Sequence, residues 1–228
     1  MTSLYSYILR YDDGAAPNPF GGTCTLAICK PVIRRTAKVG DWVIGTGSKR
    51  AKCNDGSFQN HAGLLVYAMK ISETMSMHDY DAHCKEKLHE KIPVEGTTDW
   101  NEKIGDCLYY LEDGKDDLTM REFGQHTAIK HKKWDESGKM VLLSNTFYYF
   151  GDQPIELPPR FQSIIKENQG HRKIINQELI QNFEKWIGDA FENKHIGGDP
   201  HLMEHTKRQM RRAARSLNKA ISHTSEIC

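Results

Sequence analysis

The chain lacks the features that mark exported, membrane-spanning and disulfide-rich proteins. No apolar run approaches the ~20 residues that a membrane helix needs, and the N-terminal segment MTSLYSYILRYDD has neither a cationic start nor a long apolar stretch. The 6 cysteines contain no CxxC pair and no zinc-finger spacing. These absences predict a cytoplasmic protein with reduced thiols and no membrane association.

Motifs of common catalytic folds are missing as well. The chain has no GxSxG nucleophile elbow, and GTGSKR at 45–50 lacks both the third glycine of a dinucleotide loop and the GK[ST] of a phosphate loop. His201, Glu204 and His205 spell the inverted zincin pattern HxxEH. A pattern this short arises easily by chance in a chain with 11 histidines, and arginines that disfavour a dication follow it. We therefore expect no metal and no cofactor.

The composition predicts a globular protein with a real core. Of the 228 residues, 38% are hydrophobic and 27% are charged, which is an ordinary balance for one or two globular domains. The net charge of +1 creates no overall field that would attract nucleic acid. Charge is nevertheless unevenly placed, because 95–122 is mainly acidic and 207–219 is basic with no acidic residue.

Hydrophobic periodicity predicts short strands in the first two-thirds and helices at the end. Alternating or continuous apolar residues bounded by glycine or proline favour strands. The predicted strands are Leu4 to Leu9, Cys24 to Cys29, Asp41 to Gly45, Leu64 to Ile71, Cys107 to Leu111, Met140 to Leu143 and Phe147 to Phe150. Helical spacing predicts an inserted helix at Met77 to Glu90 and a longer helix at Asn176 to Phe191. We expect an α+β fold in which a small mixed β-barrel domain (1–158) carries a C-terminal helical extension (159–228).

The last predicted helix, which follows Asp199-Pro200, has a cationic stripe. Its apolar residues fall in one arc, and Arg208, Arg211, Arg212 and Arg215 fall on the opposite side. Closely spaced cations contact phosphate backbones and release condensed counterions. A solvated helix face explains the same pattern about equally well. A membrane surface is a weaker explanation, because the apolar face has no aromatic anchor.

The loop 10–20, RYDDGAAPNPF, is the most polar candidate for a binding site. Asp12, Asp13 and Asn18 lie among turn-forming residues, and Phe20 closes the segment. Carboxylate and amide groups that turn inward would form hydrogen bonds with a base edge. The same residue types also cap their own backbone in ordinary turns, so the loop supports both interpretations.

Three further segments, 30–35, 46–48 and 170–172, and the single residue Tyr109 supply the other candidate ligand contacts. The candidate phosphate contacts are Lys30, Arg34, His171 and Arg172. The candidate base or nucleotide contacts are Thr46, Gly47, Ser48 and Tyr109. The cations of CKPVIRR would clamp a phosphate, or would simply flank an edge strand. The turn at 46–48 follows a strand, where a glycine lets the backbone approach a ligand closely. Gly170-His171-Arg172 opens the predicted long helix, whose N-terminus favours anions, or it is only a capping turn. Tyrosine rings fill cores or stack on bases.

Several long motifs resemble one family of bacterial and phage proteins. They are RYDDGAAPNPF, TLAICKPVIRRTAKVGDWVIGTGS, LLVYAMKISE, LLSNTFYYFG and GHR followed by a tryptophan-bearing helix and GGDP. The chain resembles the type-two nucleotide modification associated domain family over about 3–200. The resemblance implies association with systems that make, recognise or process modified DNA bases. The strand order also looks like the PUA-like group that includes EVE, ASCH and YTH domains, and this implies a small barrel that seats a modified base in a pocket.

These observations together predict recognition of a modified base, in nucleic acid or in a nucleotide, in a DNA-modification or phage-defence context. The base would enter a pocket formed by the loop 10–20, the turn 46–48 and nearby aromatic rings, and the cations above would hold the phosphates. One alternative is a hydrolase, an N-glycosylase or amidohydrolase, in which Asp12 or Asp13 is a general base on water. Another is a non-catalytic interaction module that uses the acidic 95–122 surface.

Overall fold

The computed structural model describes residues 1–53, 55–97, 99–121 and 129–202, apart from the side chains of 129 and 130. The helices are α1 (Pro31–Thr36), α2 (Met77–Lys87), α3 (Trp100–Lys103), α4 (Ile129–Glu136) and α5 (Gln177–Ala190), with 3-10 turns at His89–Lys91 and Pro159–Ile164. The strands are β1 (Leu4–Leu9), β2 (Cys24–Leu26), β3 (Trp42–Gly47), β4 (Ala51–Lys52), β5 (Phe58–Gln59), β6 (Leu65–Lys70), β7 (Glu73–Ser76), β8 (Tyr109–Leu111), β9 (Leu118–Met120), β10 (Met140–Ser144), β11 (Thr146–Tyr149), β12 (His171–Ile174) and β13 (His195–Ile196). The chain is therefore mixed α+β, as predicted.

Six strands form the main sheet in the order β12-β1-β3-β6-β11-β13. β1 and β3 are parallel, with Leu4 opposite Trp42 and Leu9 opposite Gly47. β12 is antiparallel to β1, and β6 lies antiparallel between β3 and β11. Parallel neighbours need a crossover connection, which 10–41 supplies here. The ends of β1 and β3 at Leu9 and Gly47 consequently lie side by side.

The main sheet is open, and the predicted PUA-like barrel is not confirmed. Among the described strands, β12 and β13 form the two edges, while β2, β10 and β7 form a separate three-stranded sheet. Apolar alternation locates strands along the chain. Closure of a sheet depends instead on which strands pair and in which register, and those pairings are tertiary contacts.

Hydrophobic layers cover both faces of the main sheet. One layer contains Tyr5, Tyr7, Tyr67 and Tyr149 from the sheet, packed with apolar residues of α1 and of the smaller sheet. The other layer joins alternate residues of the same strands, such as Trp42, to α5. The two faces follow from the period-two alternation of strand side chains.

Helix α5 matches its predicted position closely. Asn176 caps it, because the side-chain Oδ1 accepts the Leu179 N–H at 3.0 Å. Phe183 and Ile187 are buried, and Phe183 packs edge-on against Trp42 with ring centroids 5.5 Å apart. The inserted helix α2 is confirmed as well. Its residues Met77, Tyr80 and Cys84 are buried in a third hydrophobic cluster.

The segment after Gly170 is a strand and not the start of α5, so that prediction was wrong. His171–Ile174 pairs with β1, with Tyr7 opposite His171 and Ser6 opposite Arg172. His171 and Arg172 therefore do not lie at a helix N-terminus, and no helix dipole draws anions to them. The predicted strand Cys24 to Cys29 is also shorter, because β2 ends at Leu26 and α1 begins at Pro31.

The predicted domain boundary at 158 stays a prediction, and the region after it contributes β12 and β13 to the main sheet. The predicted cationic tail helix lies outside the described residues. No helix within the described ranges is long and apolar enough to cross a membrane.

Candidate functional site

The C-terminal ends of parallel strands β1 and β3 define the candidate site. β1 leads into the polar loop 10–20, and β3 leads into Ser48. Gly47 forms a β-bridge with Ala62, and the Ser48 carbonyl accepts the His61 N–H at 2.9 Å. Crevices at the carboxyl ends of parallel strands often bind ligands. The fold thus places the loop 10–20 and residues 46–48 at the same edge of the sheet. The predicted turn at 46–48 was wrong in part, because Thr46 and Gly47 belong to β3, and the pocket stays a prediction.

Gly47 is required here by close packing. A Cβ at this position would collide with the carbonyl and the Cβ of His61. The glycine therefore lets the segment that contains His61 lie directly against the end of β3.

The two adjacent aspartates of the loop differ in accessibility. Asp12 is only 3% exposed, and its Oδ2 accepts the Tyr149 hydroxyl at 2.6 Å. Its Oδ1 accepts the Gly14 N–H at 3.2 Å. Asp13 is half-buried, and its Oδ1 accepts the Ala15 N–H at 3.1 Å. Asp13 is therefore the more accessible of the two aspartates, and Asp12 is enclosed by protein groups.

A line of polar side chains runs from Asp12 to the surface. Asp12 Oδ2 lies 3.5 Å from His201 Nδ1. His201 Nε2 lies 2.9 Å from His61 Nδ1, and His61 Nε2 lies 2.8 Å from Oε1 of the exposed Gln59. Both histidines are buried. Burial and the neighbouring His201 lower the pKa of His61, while Asp152 opposes the shift. We name Asp12, His201 and His61 the histidine line.

Three buried tyrosine hydroxyls lie beside the inner end of the histidine line. Tyr7 and Tyr67 share a hydrogen bond of 2.8 Å, and Tyr149 donates to Asp12. Burial raises the pKa of each tyrosine, and the Asp12 carboxylate raises it further. The hydroxyls therefore stay protonated. Tyr149 donates to Asp12, and of Tyr7 and Tyr67 one hydroxyl donates to the other.

Cations gather at the β12 side of the same sheet. Lys30 Nζ lies 4.2 Å from the centre of the Tyr7 ring, and Lys173 Nζ lies 5.4 Å from that of Tyr5. The Tyr5 ring is 6.1 Å from His171, and its hydroxyl donates to the Thr36 carbonyl, next to Arg35. Burial, Arg35, Lys166 and Lys30 lower the pKa of His171. We name Lys30, Arg35, Lys166, His171 and Lys173 the cationic face.

Lys30 and His171 were both predicted as phosphate contacts, and the fold brings them together on this face. Arg172 does not join them. Strand alternation directs it to the other side of β12, where its Nη1 donates to the Ser163 carbonyl at 2.6 Å. Arg208, Arg211, Arg212 and Arg215 lie outside the described residues.

Asn18 belongs to a buried network that stabilises the loop 10–20. Lys91 is fully buried, and its Nζ donates to the Asn18 carbonyl, to Asn18 Oδ1 and to the Thr23 carbonyl at 2.8–3.0 Å. Buried Asp106 accepts the hydroxyls of Thr25 and Tyr80 at 2.6 and 2.7 Å. Burial lowers the pKa of Lys91 and raises that of Asp106, and their mutual attraction opposes both shifts.

Arg34 and Tyr109 belong to another interior network, centred on Asp135. The Tyr109 hydroxyl donates to Asp135 Oδ2 at 2.8 Å. Arg34 is fully buried, and its Nε donates to the Met140 carbonyl at 2.7 Å. Burial lowers the pKa of Arg34 to about 10. Asp135 of α4 thus contacts both Arg34 of α1 and Tyr109 of β8, and both side chains point into the interior.

The remaining predicted contacts are buried or partly buried. Thr46 is buried, and its hydroxyl lies 3.4 Å from the Tyr7 carbonyl. Phe20 packs edge-on against Trp100 at 5.3 Å. Ser48 is partly exposed, and its Oγ accepts the Arg50 N–H at 3.0 Å. The described residues contain no cluster of three potential metal ligands.

Sequence reasoning missed His61 altogether, and it considered His201 only as part of a zinc pattern. Neither histidine has a motif of its own that points to Asp12. The one sequence signal for His61 was Gly47, because a glycine at a strand end allows another segment to pack closely against it. The sequence does not identify which segment that is.

Comparison with known families identifies the chain. The family model described as nucleotide modification associated domain 2 matches residues 1–208. The protein belongs to this family. Membership associates it with nucleotide modification, and it confirms the resemblance carried by the long motifs of the sequence. No curated protein and no solved structure matches the chain.

Within this nucleotide modification associated domain, the matched range includes all three members of the histidine line and the whole cationic face. The family description does not say which atoms meet the nucleotide. The site geometry is therefore the basis of the proposals that follow.

Proposed function

We propose that this domain binds nucleic acid, or a nucleotide, that carries a modified base, with the phosphates on the cationic face. One observation carries the proposal. None of the four cations Lys30, Arg35, Lys166 and Lys173 has an ion-pair partner among the described residues. Concentrated positive charge without counter-charge attracts phosphates and releases their counterions on binding.

The base would lie at the adjoining loop 10–20. Tyr11 is 60% exposed, and an exposed tyrosine ring offers a stacking surface. Asp13 is the accessible carboxylate next to it, so Asp13 would accept a hydrogen bond from the base edge. Asn18, Thr46 and Tyr109 support the loop and the strands from inside in this proposal and do not touch the base. The family association also leads us to propose a cytoplasmic, DNA-modification or phage-defence context.

The phosphate contacts are tested with the triple variant Lys30→Gln, Arg35→Gln, Lys173→Gln. Binding would be measured by fluorescence anisotropy with labelled single-stranded and duplex oligonucleotides over a range of salt concentrations. Each lost phosphate contact should reduce the salt slope by about 0.7 for single strands and about 0.9 for duplex. The matched control is Lys87→Gln, Lys115→Gln, Lys185→Gln, whose cations are exposed and paired with neighbouring carboxylates. An equal loss in both triples would contradict the proposal.

The base contact is tested with Tyr11→Ala. Loss of one stacked base should cost about 1–3 kcal/mol of binding, on oligonucleotides with 5-hydroxymethylcytosine and with unmodified cytosine alike. Tyr11→Phe keeps the ring and should bind like the wild type. Weak binding by both variants would assign Tyr11 a role other than stacking.

The tail cations stay a prediction. Replacement of Arg208, Arg211, Arg212 and Arg215 by glutamine should weaken binding similarly for all sequences and make the salt slope shallower. An unchanged slope would show that the stripe is only a solvated face.

A further inference from the structure

The histidine line has properties that a purely structural clamp does not need. Its members come from three distant segments, and they meet at the carboxyl ends of β1 and β3. The Nδ1 atom of buried His201 has no hydrogen-bond partner among the described residues, although Asp12 Oδ2 lies 3.5 Å away. Buried polar atoms are almost always satisfied. The 3.5 Å separation allows this contact to tighten when His201 becomes charged.

The hydrogen bonds of the histidine line restrict which ring nitrogens carry a proton. The 2.9 Å contact between His201 Nε2 and His61 Nδ1 needs one proton between the two nitrogens. With both rings neutral, His201 Nδ1–H points to Asp12, and His61 Nδ1–H donates to His201. His61 Nε2 then presents a lone pair toward Gln59, whose side-chain amide donates to it after a 180° turn. The outermost atom of the line is in that state a proton acceptor.

The position of the positive charge after proton uptake favours the acceptor role. A proton that arrives at His61 Nε2 allows the Nδ1 proton to pass to His201 Nε2. The charge then rests on His201, beside the Asp12 carboxylate. Burial and the neighbouring His201 keep the pKa of His61 below its usual value, so His61 is neutral at neutral pH and is able to accept a proton.

The surroundings of His61 indicate the substrate class. Lys49 and Arg50 follow Ser48 in the same turn and are exposed. The Arg50 guanidinium lies 4.7 Å from the centre of the Phe58 ring, which is 53% exposed and precedes Gln59. An exposed ring and two cations beside a proton acceptor fit an aromatic base and a phosphate.

We infer that His61 is a general base that hydrolyses a phosphodiester of a nucleotide, with His201 and Asp12 as positioning residues. The inference rests on the proposed function for the nature of the ligand. A water molecule gives a proton to His61 Nε2, and its oxygen forms a bond to phosphorus. The bond from phosphorus to the leaving oxygen breaks, and that oxygen takes the proton back from His61. One diester and one water thus yield one monoester and one alcohol.

The test uses the full chain with two probes, the p-nitrophenyl ester of thymidine 5′-monophosphate and a fluorescein-labelled single-stranded 12-mer. We expect release of p-nitrophenolate and cleavage of the 12-mer. His61→Gln should reduce both rates by about 10²–10⁴-fold. His78→Gln is the matched control, because that side chain is 58% exposed on α2, and it should leave both rates unchanged.

The positioning residues need a readout that a structural role would not move. In the wild type, kcat/KM should fall on acidification as His61 becomes protonated, and this limb should lie below the ordinary histidine pKa of about 6.5, because burial and His201 lower the pKa of His61. Asp12→Asn and His201→Gln should lower kcat and shift this acidic limb, with nitrogen-15 histidine spectra reporting the changed tautomers. Thermal unfolding would show whether each variant is folded.

The outcomes separate this inference from the proposed function. Oligonucleotide binding with rates equal to those of His61→Gln would overturn the catalytic inference and leave the binding proposal intact. Cleavage of both probes that survives in His61→Gln would also overturn it. Absence of binding by the wild type would instead refute the proposed function.

Discussion

His201 Nε2 lies 2.9 Å from His61 Nδ1, although 140 residues separate the two histidines. The contact holds the end of the described chain against the carboxyl ends of β1 and β3, where the Leu202 N–H also donates to the Asp12 carbonyl at 2.8 Å. The end of β3, the segment after β5 and the C-terminal segment 201–202 meet at one place. A substitution in any one of these segments should therefore change the structure of the other two.

Gly47→Ala should displace His61, because the added Cβ meets the His61 backbone. The atoms that the new Cβ would meet, the carbonyl oxygen and the Cβ of His61, cannot rotate away. We therefore expect a loss of stability of about 1–3 kcal/mol and altered histidine resonances. Gly188→Ala is the control, since its added Cβ makes only an ordinary contact in α5. That change should stabilise the protein by about 0.5–1 kcal/mol. Denaturant unfolding measures both, and equal effects would show that Gly47 is not a close-approach site.

Nucleic-acid binding should become tighter as the pH falls below about 6.5. Burial, Arg35, Lys166 and Lys30 lower the pKa of His171 in the free protein. A bound phosphate offsets these charges and raises that pKa, so the complex holds an extra proton between the two pKa values. Affinity then rises on acidification through this window and is unaffected above it. Anisotropy at pH 5.5 and 7.5 tests this, and His171→Asn should remove the pH dependence. An identical profile in His171→Asn would place the titrating group elsewhere.

Lys91→Met should be strongly destabilising. It removes two hydrogen bonds to Asn18 in the loop 10–20 and one to the Thr23 carbonyl, and it leaves the buried Asp106 without its nearby cation. Loss of one partner from a buried charged network costs about 3–5 kcal/mol. The exposed control Lys87→Met should stay within about 0.5 kcal/mol of the wild type. Urea unfolding would decide, and a cost for Lys91→Met similar to the control would show that the network carries little stability.

The double variant Lys91→Met, Asp106→Asn should recover part of the stability lost by Lys91→Met. The second change removes the buried charge that the first leaves unpaired. A double variant less stable than the single one would indicate that Asp106 is held by its hydroxyl donors Thr25 and Tyr80 rather than by Lys91.

Asp13→Asn keeps the size of the side chain and removes its charge. If Asp13 accepts a hydrogen bond from the base edge, binding to the preferred modified base should weaken by about 1–3 kcal/mol. Binding to unmodified nucleic acid should barely change, because the cationic face supplies that part of the affinity. The melting temperature must be measured beside both affinities. Equal loss of all binding with a large drop in melting temperature would show that Asp13 only supports its turn.

The sequence by itself determined the positions of the strongest elements and the family. Period-two and period-3.6 patterns are local properties of the chain, so β1, β6, α2 and α5 lie close to their predicted ranges. The long motifs carried the family resemblance for the same reason, since they are contiguous. Lys30 was a candidate because of its charge beside a predicted strand end, and His171 because of its predicted place at a helix N-terminus, which the structure does not have.

Only the tertiary structure decided which candidates meet. Arg34, Asn18 and Tyr109 have the side chains of a binding site, but strand pairing and helix packing place them in the interior with protein partners. The segment 171–174 carries no strong alternation, and it becomes a strand because β1 offers it an edge. His61, His201 and Asp12 have no mutual spacing in the chain. Their contact exists because β1 and β3 run parallel and end together, and sheet pairing between distant segments leaves no periodic trace in the sequence.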